Sequence, residues 1–197
     1  MNENLLWVPR MLMIGSAGRN SGKTVLADAL IRQWKSRQPV LALKVATVQE
    51  LGGACVRGGK GCGLCSSLKD RFEIDAETDP TGDKDTNRLL AAGADQVYWL
   101  KAQKDYLREG TRELLAQITS DGIIICESNS LRNVVRPGYF IMIDNCGDAP
   151  WKKSARDVAE KADFILRSPV EESIPQILEK VNHDFGWVLD HLMKKQA

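Results

Sequence analysis

Met11-Leu12-Met13-Ile14-Gly15-Ser16-Ala17-Gly18-Arg19-Asn20-Ser21-Gly22-Lys23-Thr24 is the stretch on which the reading of this chain turns. Met11 to Ile14 has the apolar run of a short buried strand, and small polar residues and glycines follow it. From Val25 to Trp34 the apolar residues Leu26, Ala29, Leu30 and Trp34 fall at the spacing of one helix face. Strand, glycine-rich turn and amphipathic helix in that order form the setting of a phosphate-binding loop. The backbone N–H groups of such a loop surround a polyphosphate, its lysine reaches the outer phosphates, and the following hydroxyl ligates Mg²⁺. The helix N-terminus adds further N–H groups and a dipole that favours an anion. The residues expected to line the nucleotide are therefore Gly18, Arg19, Asn20, Ser21, Gly22, Lys23, Thr24 and Val25. The strict pattern G-x-x-x-x-G-K-[ST] asks for glycine where this chain has Ala17. Gly15 and Gly18 flank that position, so the loop is expected to turn at Gly18 instead. An ordinary strand-to-helix turn with Lys23 merely solvated is the competing reading, and the strand before and helix after argue against it.

Outward from the loop, apolar runs alternate with amphipathic segments. Val40 to Val45, Gln96 to Leu100, Gly122 to Cys126, Tyr139 to Ile143 and Phe164 to Leu166 read as strands. Thr86 to Ala94, Tyr106 to Ile118, Ser154 to Lys161 and Glu171 to about Lys194 read as helices, the last with a break near Asp184-Phe185-Gly186. Its Ile174, Ile177, Leu178 and Val181 are expected to pack on the sheet. Near-continuous apolar strands alternating with helices predict a mostly parallel sheet covered on both faces, a three-layer α/β/α architecture of the P-loop NTPase kind. About 35 residues rich in Gly, Cys, Asp and Lys separate the second strand from the next helix, too long for a plain connection.

Bulk properties narrow the class. The 197 residues suit one domain spanning 1–197, with a Cys/Gly-rich insertion at about 50–70. At 43% hydrophobic residues, a disordered chain is not expected. The 27 basic and 26 acidic side chains leave a net charge of +1, which supplies no general attraction to nucleic acid or an acidic membrane. No stretch approaches the roughly 20 apolar residues of a membrane span. Met1-Asn2-Glu3-Asn4 lacks the basic start and long apolar run of a secretory signal, so a cytoplasmic location is expected. In that reducing compartment the five cysteines point to metal or redox roles ahead of disulfides.

A phosphate loop works with a carboxylate at the end of a neighbouring strand that holds Mg²⁺ directly or through water. Glu127, directly after the most apolar strand, is the natural choice. Asp85, in Gly82-Asp83-Lys84-Asp85-Thr86, is the second, although a residue there would also cap the helix it opens. Lys23 is assigned to stabilise charge on the transferring phosphate, and Thr24, Glu127 and Asp85 to hold Mg²⁺.

Several motifs in order resemble the molybdopterin-guanine dinucleotide biosynthesis protein B family. They are Asn20-Ser21-Gly22-Lys23-Thr24, Lys44 at the end of the second strand, Phe72-Glu73-Ile74-Asp75, Gly82 to Arg88, Ala92-Gly93-Ala94, and Glu127 after the third apolar strand. The resemblance covers roughly residues 10 to 130. It implies a SIMIBI-class NTPase, often a homodimer, that uses Mg²⁺ and GTP or ATP. It also implies a role in maturation or insertion of molybdenum cofactor, with a client metalloenzyme or cofactor-biosynthesis protein as partner. The chain departs from the family in two places. A cysteine cluster stands where the family tends to carry histidines, and Ser128 follows Glu127 where a glycine is usual. Separately, the lysine near the start of the loop that marks dimer-sandwich ATPases is missing: Gly18 occupies that place, and Arg19 follows it. A guanine-reading N-K-x-D motif is absent after Phe164–Leu166, and Asn145-Cys146-Gly147-Asp148 reads as a loop.

The cluster is Cys55, Cys62 and Cys65, spaced C-x6-C-x2-C on glycine-rich chain with Arg57 and Lys60 among them. Neighbouring cations favour thiolates. Thiolates on such a backbone suit Zn²⁺ or an iron–sulfur cluster, with a fourth ligand from elsewhere or from a second subunit. A disordered loop with three free thiols, or a transient disulfide, is the competing reading. Cys126 reads as a core residue, Cys146 as isolated, and His183 and His191 as surface residues of the last helix.

The leading expectation is an NTPase serving a metal cofactor. Two others compete with it. A small-molecule kinase would transfer the γ-phosphoryl group under an arginine lid, with Arg132 and Arg136 available. A scaffold would hold nucleotide and metal without turnover.

Overall fold

The computed structural model describes residues 5–48, 68–144, 147 and 149–196, with side chains as far as residue 190. Cys55, Cys62, Cys65 and Cys146 lie outside these residues, as do the side chain of His191 and most of the 145–148 loop. Along the chain come β1 (Leu6–Ser16), α1 (Lys23–Trp34), β2 (Val40–Val48), β3 (Phe72–Ala76) and α2 (Asp85–Ala91). Then follow β4 (Gln96–Gln103), α3 (Leu107–Gln117), β5 (Ile123–Glu127), β6 (Val135–Ile143), α4 (Lys153–Arg156), β7 (Phe164–Leu166) and α5 (Val170–Gln196). The described strands form one sheet in the order β3-β4-β2-β5-β1-β6-β7. All its pairings are parallel except β3 with β4.

Successive residues of a strand point to opposite faces, and here both faces are covered, which is why the central strands are apolar without alternation. Leu12, Ile14, Ile123 and Ile125 face Leu26 and Leu30 of α1, Leu89 of α2, and Ile177, Val181 and Phe185 of α5. Met11, Met13, Ile124 and Cys126 face the other way, against Leu107 and Leu114 of α3. The result is an α/β fold with a mostly parallel sheet between helices, compatible with the three-layer architecture expected from the sequence. No helix of the described residues is long and apolar enough to cross a membrane.

Four local expectations are corrected. The long connection after β2 contains a strand, β3. Its Phe72 and Ile74 pack on the sheet's apolar face, while Lys101 of β4 binds Glu73 at 2.9 Å and Asp75 at 2.8 Å. The segment 154–161 is not one helix: α4 ends at Arg156, and a separate 3-10 turn covers Ala159–Lys161. The last helix does not break at Gly186. Phe185 is fully buried edge-on to Trp34, with ring centroids 6.1 Å apart, and the Tyr139 hydroxyl donates to Asp184 at 2.8 Å. Those tertiary contacts outweigh glycine's cost in a helix, about 1 kcal/mol. On α1, Ala27 and Ile31 join Leu26, Leu30 and Trp34 in the core, and Ala29 is only half-buried.

Candidate phosphate and magnesium site

The sheet order brings the site together. β1 lies between β5 and β6, so the loop leaving β1 emerges beside the ends of both neighbours. Ala17 N donates to the Ile143 carbonyl at 2.8 Å, prolonging the pairing of β1 with β6 by one residue beyond Ser16. Ala17 is fully buried there and its backbone is not left-handed, so this position does not need glycine. The loop bends through residues 17–22, Gly18 among them, and within it Asn20 (φ 49°) and Gly22 (φ 79°) are left-handed while Gly18 is not. Asn tolerates that conformation and glycine adopts it freely. A Cβ on Gly22 would also lie 2.7 Å from a Val170 methyl.

Gly22 is the N-cap of α1, makes no side-chain cap, and is followed by no acidic residue in the first turn. The first N–H groups of a helix have no partner inside it. Here Gly22 has no side chain to cap them, and the first turn itself carries no acidic residue to offset the dipole.

Lys23, Thr24, Glu127 and Asp85, named separately from the sequence, meet at this helix start. Thr24 Oγ1 donates to Glu127 Oε2 at 3.3 Å. Glu127 is paired in register with Ile14 of β1 on one side and Lys44 of β2 on the other. The Lys44 ammonium in turn holds the Asp85 carboxylate. Asp85 is able to face the site because helix capping is done by another residue: the Asn87 side chain accepts from Lys84 N at 2.9 Å.

The two carboxyls are driven apart electrostatically. Burial pushes Glu127 above the usual carboxylate range, and Asp85 pushes it the same way, with Lys44, Lys23 and the Thr24 hydroxyl opposing. For Asp85, burial also acts upward, but the hydrogen bond and charge of Lys44, helped by Thr24 and Arg88, outweigh it and hold this carboxyl low. Divergent carboxyls in one place mark functional sites more often than chance. Glu127 is only 4% exposed, and its Oε1 is buried without a hydrogen-bond partner.

That orphaned oxygen tests the fit of a magnesium ion. A hydroxyl and carboxylates are hard oxygen donors of the kind Mg²⁺ takes, together with waters and phosphate oxygens. Thr24, Glu127 and Asp85 fit it. The described residues contain no cluster of three or more His, Cys, Asp or Glu that would form an all-protein metal cage. Magnesium held partly by phosphates does not need one.

Three residues of the site were missed in the sequence. Asn129 binds the main chain of Ser16 at the end of β1. Ser16 is fully buried, and its hydroxyl accepts from Lys23 Nζ at 2.9 Å. Lys152, from the segment before α4, reaches the same hydroxyl at 3.3 Å and the Gly18 carbonyl at 3.0 Å. Asn129 and Lys152 belong to no local motif that would have marked them, and Ser16 stands just ahead of the positions that the phosphate-loop pattern names.

The arginines proposed for a kinase lid are placed elsewhere. Arg136 lies near the start of β6, paired with Trp7, and stacks on the Trp7 ring at 4.9 Å, at the opposite end of β1 from the loop. Arg132 donates to the Val135 carbonyl at 3.2 Å. His183 is exposed and beside Asp184, as expected of a surface residue, and Cys126 is buried in β5.

Compared with known proteins, the chain matches no family model, no curated protein and no solved structure.

Proposed function

We propose that this chain binds a nucleoside triphosphate, GTP or ATP, with Mg²⁺ at residues 18–25 and hydrolyses it. The observation that carries this is the meeting of Lys23, Thr24, Asp85 and Glu127 at an uncapped helix start, with Glu127 Oε1 buried and unpartnered. The backbone from Gly18 to Val25 cradles the phosphates, and Lys23 offsets charge on the transferring group. Thr24, Glu127 and Asp85 hold Mg²⁺, which when bound neutralises phosphate oxygens. Lys44 keeps Asp85 ionised and turned toward the site.

The hydrolysis serves maturation or insertion of a metal cofactor in the cytoplasm, with a homodimer handing its cargo to a client metalloenzyme or biosynthetic protein. Motif resemblance to the molybdopterin-guanine dinucleotide biosynthesis protein B family supports this, as does the cysteine trio. The chain carrying Cys55, Cys62 and Cys65 is joined at Val48 and Leu68, which pack together with Ala46. Val48 stands on the same strand as Lys44, the partner of Asp85. Zn²⁺ or an iron–sulfur cluster is the cargo or resident group these thiols would take.

Anaerobic purification with metal analysis, calorimetric titration with Mg·ATP and Mg·GTP, and phosphate-release assays test this directly. Binding lost in Lys23→Ala and phosphate release in wild type are expected. A folded protein that binds neither nucleotide ends the NTPase proposal. A metal-free protein whose Cys55/Cys62/Cys65→Ser variant behaves like wild type ends the metal part.

A further inference from the structure

Ser16 Oγ is a crowded acceptor. Its own proton goes to the Gly18 carbonyl at 2.9 Å, and it accepts from Lys23 Nζ at 2.9 Å and from Lys152 Nζ at 3.3 Å. A hydroxyl has one proton and two lone pairs, so these three bonds use it completely. Two ammonium groups thus converge on one hydroxyl oxygen beside the phosphate loop. A phosphate oxygen brought to that point would meet both cations at once.

Lys152 is held in place from several directions. Its own N–H donates to the Ala17 carbonyl at 3.0 Å, and its ammonium also donates to the Gly18 carbonyl at 3.0 Å. Trp151 before it packs against the core, and Ala155 after it is fully buried. The ammonium is therefore delivered to the loop by a fixed stretch of backbone, from a point 136 residues away in sequence.

We propose that Lys152 is a second phosphate-binding cation, sharing the outer phosphates of the bound nucleotide with Lys23. This rests on the phosphate-loop function proposed above. Lys23 of such a loop addresses the outer phosphates. Lys152 stands on the same hydroxyl and so reaches the same region. It adds a second ammonium to that of Lys23, and it links the segment leading into α4 to whether the terminal phosphate is present.

The test compares Lys152→Gln and Lys152→Arg with wild type by calorimetric titration. The probes are the tighter-binding of Mg·AMPPNP and Mg·GMPPNP, and the corresponding Mg-diphosphate. Loss of one charge-assisted contact predicts about tenfold weaker triphosphate binding for Lys152→Gln, and less than about threefold for the diphosphate. Lys152→Arg is expected to restore most of the difference. Wild-type binding with equal losses for both nucleotides, or with none, overturns the proposal and makes Lys152 a structural tie. Folded wild type that binds neither nucleotide overturns the phosphate-loop function and this inference with it. Should Lys152→Gln fail to fold, Lys152→Arg and Lys152→Met are measured for the same triphosphate-to-diphosphate ratio.

Discussion

The Asn129 carboxamide grips both main-chain polar groups of one residue, Ser16. Ser16 N–H donates to Asn129 Oδ1 at 2.8 Å, and Asn129 Nδ2 donates to the Ser16 carbonyl at 2.9 Å. Beside this grip, Ser128 N donates to the Ile14 carbonyl at 3.0 Å. The segment after β5 thus fixes the point where β1 gives way to the glycine-rich loop. A Cβ on Gly15 would sit 2.9 Å from Asn129 Oδ1, so a small residue there is part of the same fit.

Asn129→Ala leaves the buried Ser16 groups without these partners and is expected to cost about 2 kcal/mol. For a chain of this length that lowers the melting midpoint by about 4–8 °C. Asn129→Asp keeps the acceptor but sets a carboxylate oxygen against the Ser16 carbonyl, and should be the worse of the two. Scanning calorimetry of both variants decides it, and an unshifted Asn129→Ala midpoint would show that the grip carries no stability.

Gly22→Ala combines a left-handed backbone with a methyl against Val170. The backbone part costs about 1–2 kcal/mol. Adding Val170→Ala should recover the steric part and leave the backbone part. A urea-denaturation double-mutant cycle measures the coupling directly. Purely additive losses would mean that Val170 yields without cost.

Glu127→Gln separates stability from function. The carboxyl is raised in the folded protein, first by burial and then by Asp85, so the folded state holds its proton to higher pH than the unfolded state does. Stability is therefore lost as pH rises from the ordinary carboxylate range through the folded value. The glutamine variant, with no charge to bury, should not show that decline. Its Mg²⁺-dependent gain in nucleotide affinity should fall by about tenfold or more, with binding in EDTA little changed. Parallel pH profiles of unfolding in the two proteins, identical in slope, would rule this out.

Lys44→Met acts on the other carboxyl with the opposite sign. Asp85 is held low by Lys44 despite burial, so its ionised form stabilises the fold above its unfolded value. That contribution disappears as pH falls through the folded value. The variant should be less stable than wild type near neutral pH and converge with it in acid. Asp85 should then titrate higher, as followed by carboxyl NMR. An Asp85 titration unchanged by Lys44→Met would dismiss the pairing.

Phe185→Ala removes a fully buried ring from the contact with Trp34 and is expected to cost about 3–5 kcal/mol. It also tests whether α5 stays continuous. Circular dichroism that loses helix beyond the melting shift would show that Phe185 holds the helix through Gly186.

The sequence by itself determined the elements whose cause is local. The apolar run at 11–14, the glycine-rich turn and the 3.6-residue spacing after it specify strand, loop and helix within about two dozen residues. The apolar strands, the parallel sheet covered on both faces, and the acidic residues at Glu127 and Asp85 were legible for the same reason. The tertiary structure alone decided what meets what. Asn129 lies 113 residues from Ser16, and Lys152 lies 136 from it. Both reach Ser16 because β1 sits between β5 and β6. Strand order is a property of the whole folded chain, written in no short pattern. The same holds for β3, whose alternating Phe72-Glu73-Ile74-Asp75 becomes a strand once Lys101 on β4 neutralises its acidic face. It holds for Gly186 too, kept helical by the burial of its neighbour Phe185 against α1, where local propensity alone would end the helix.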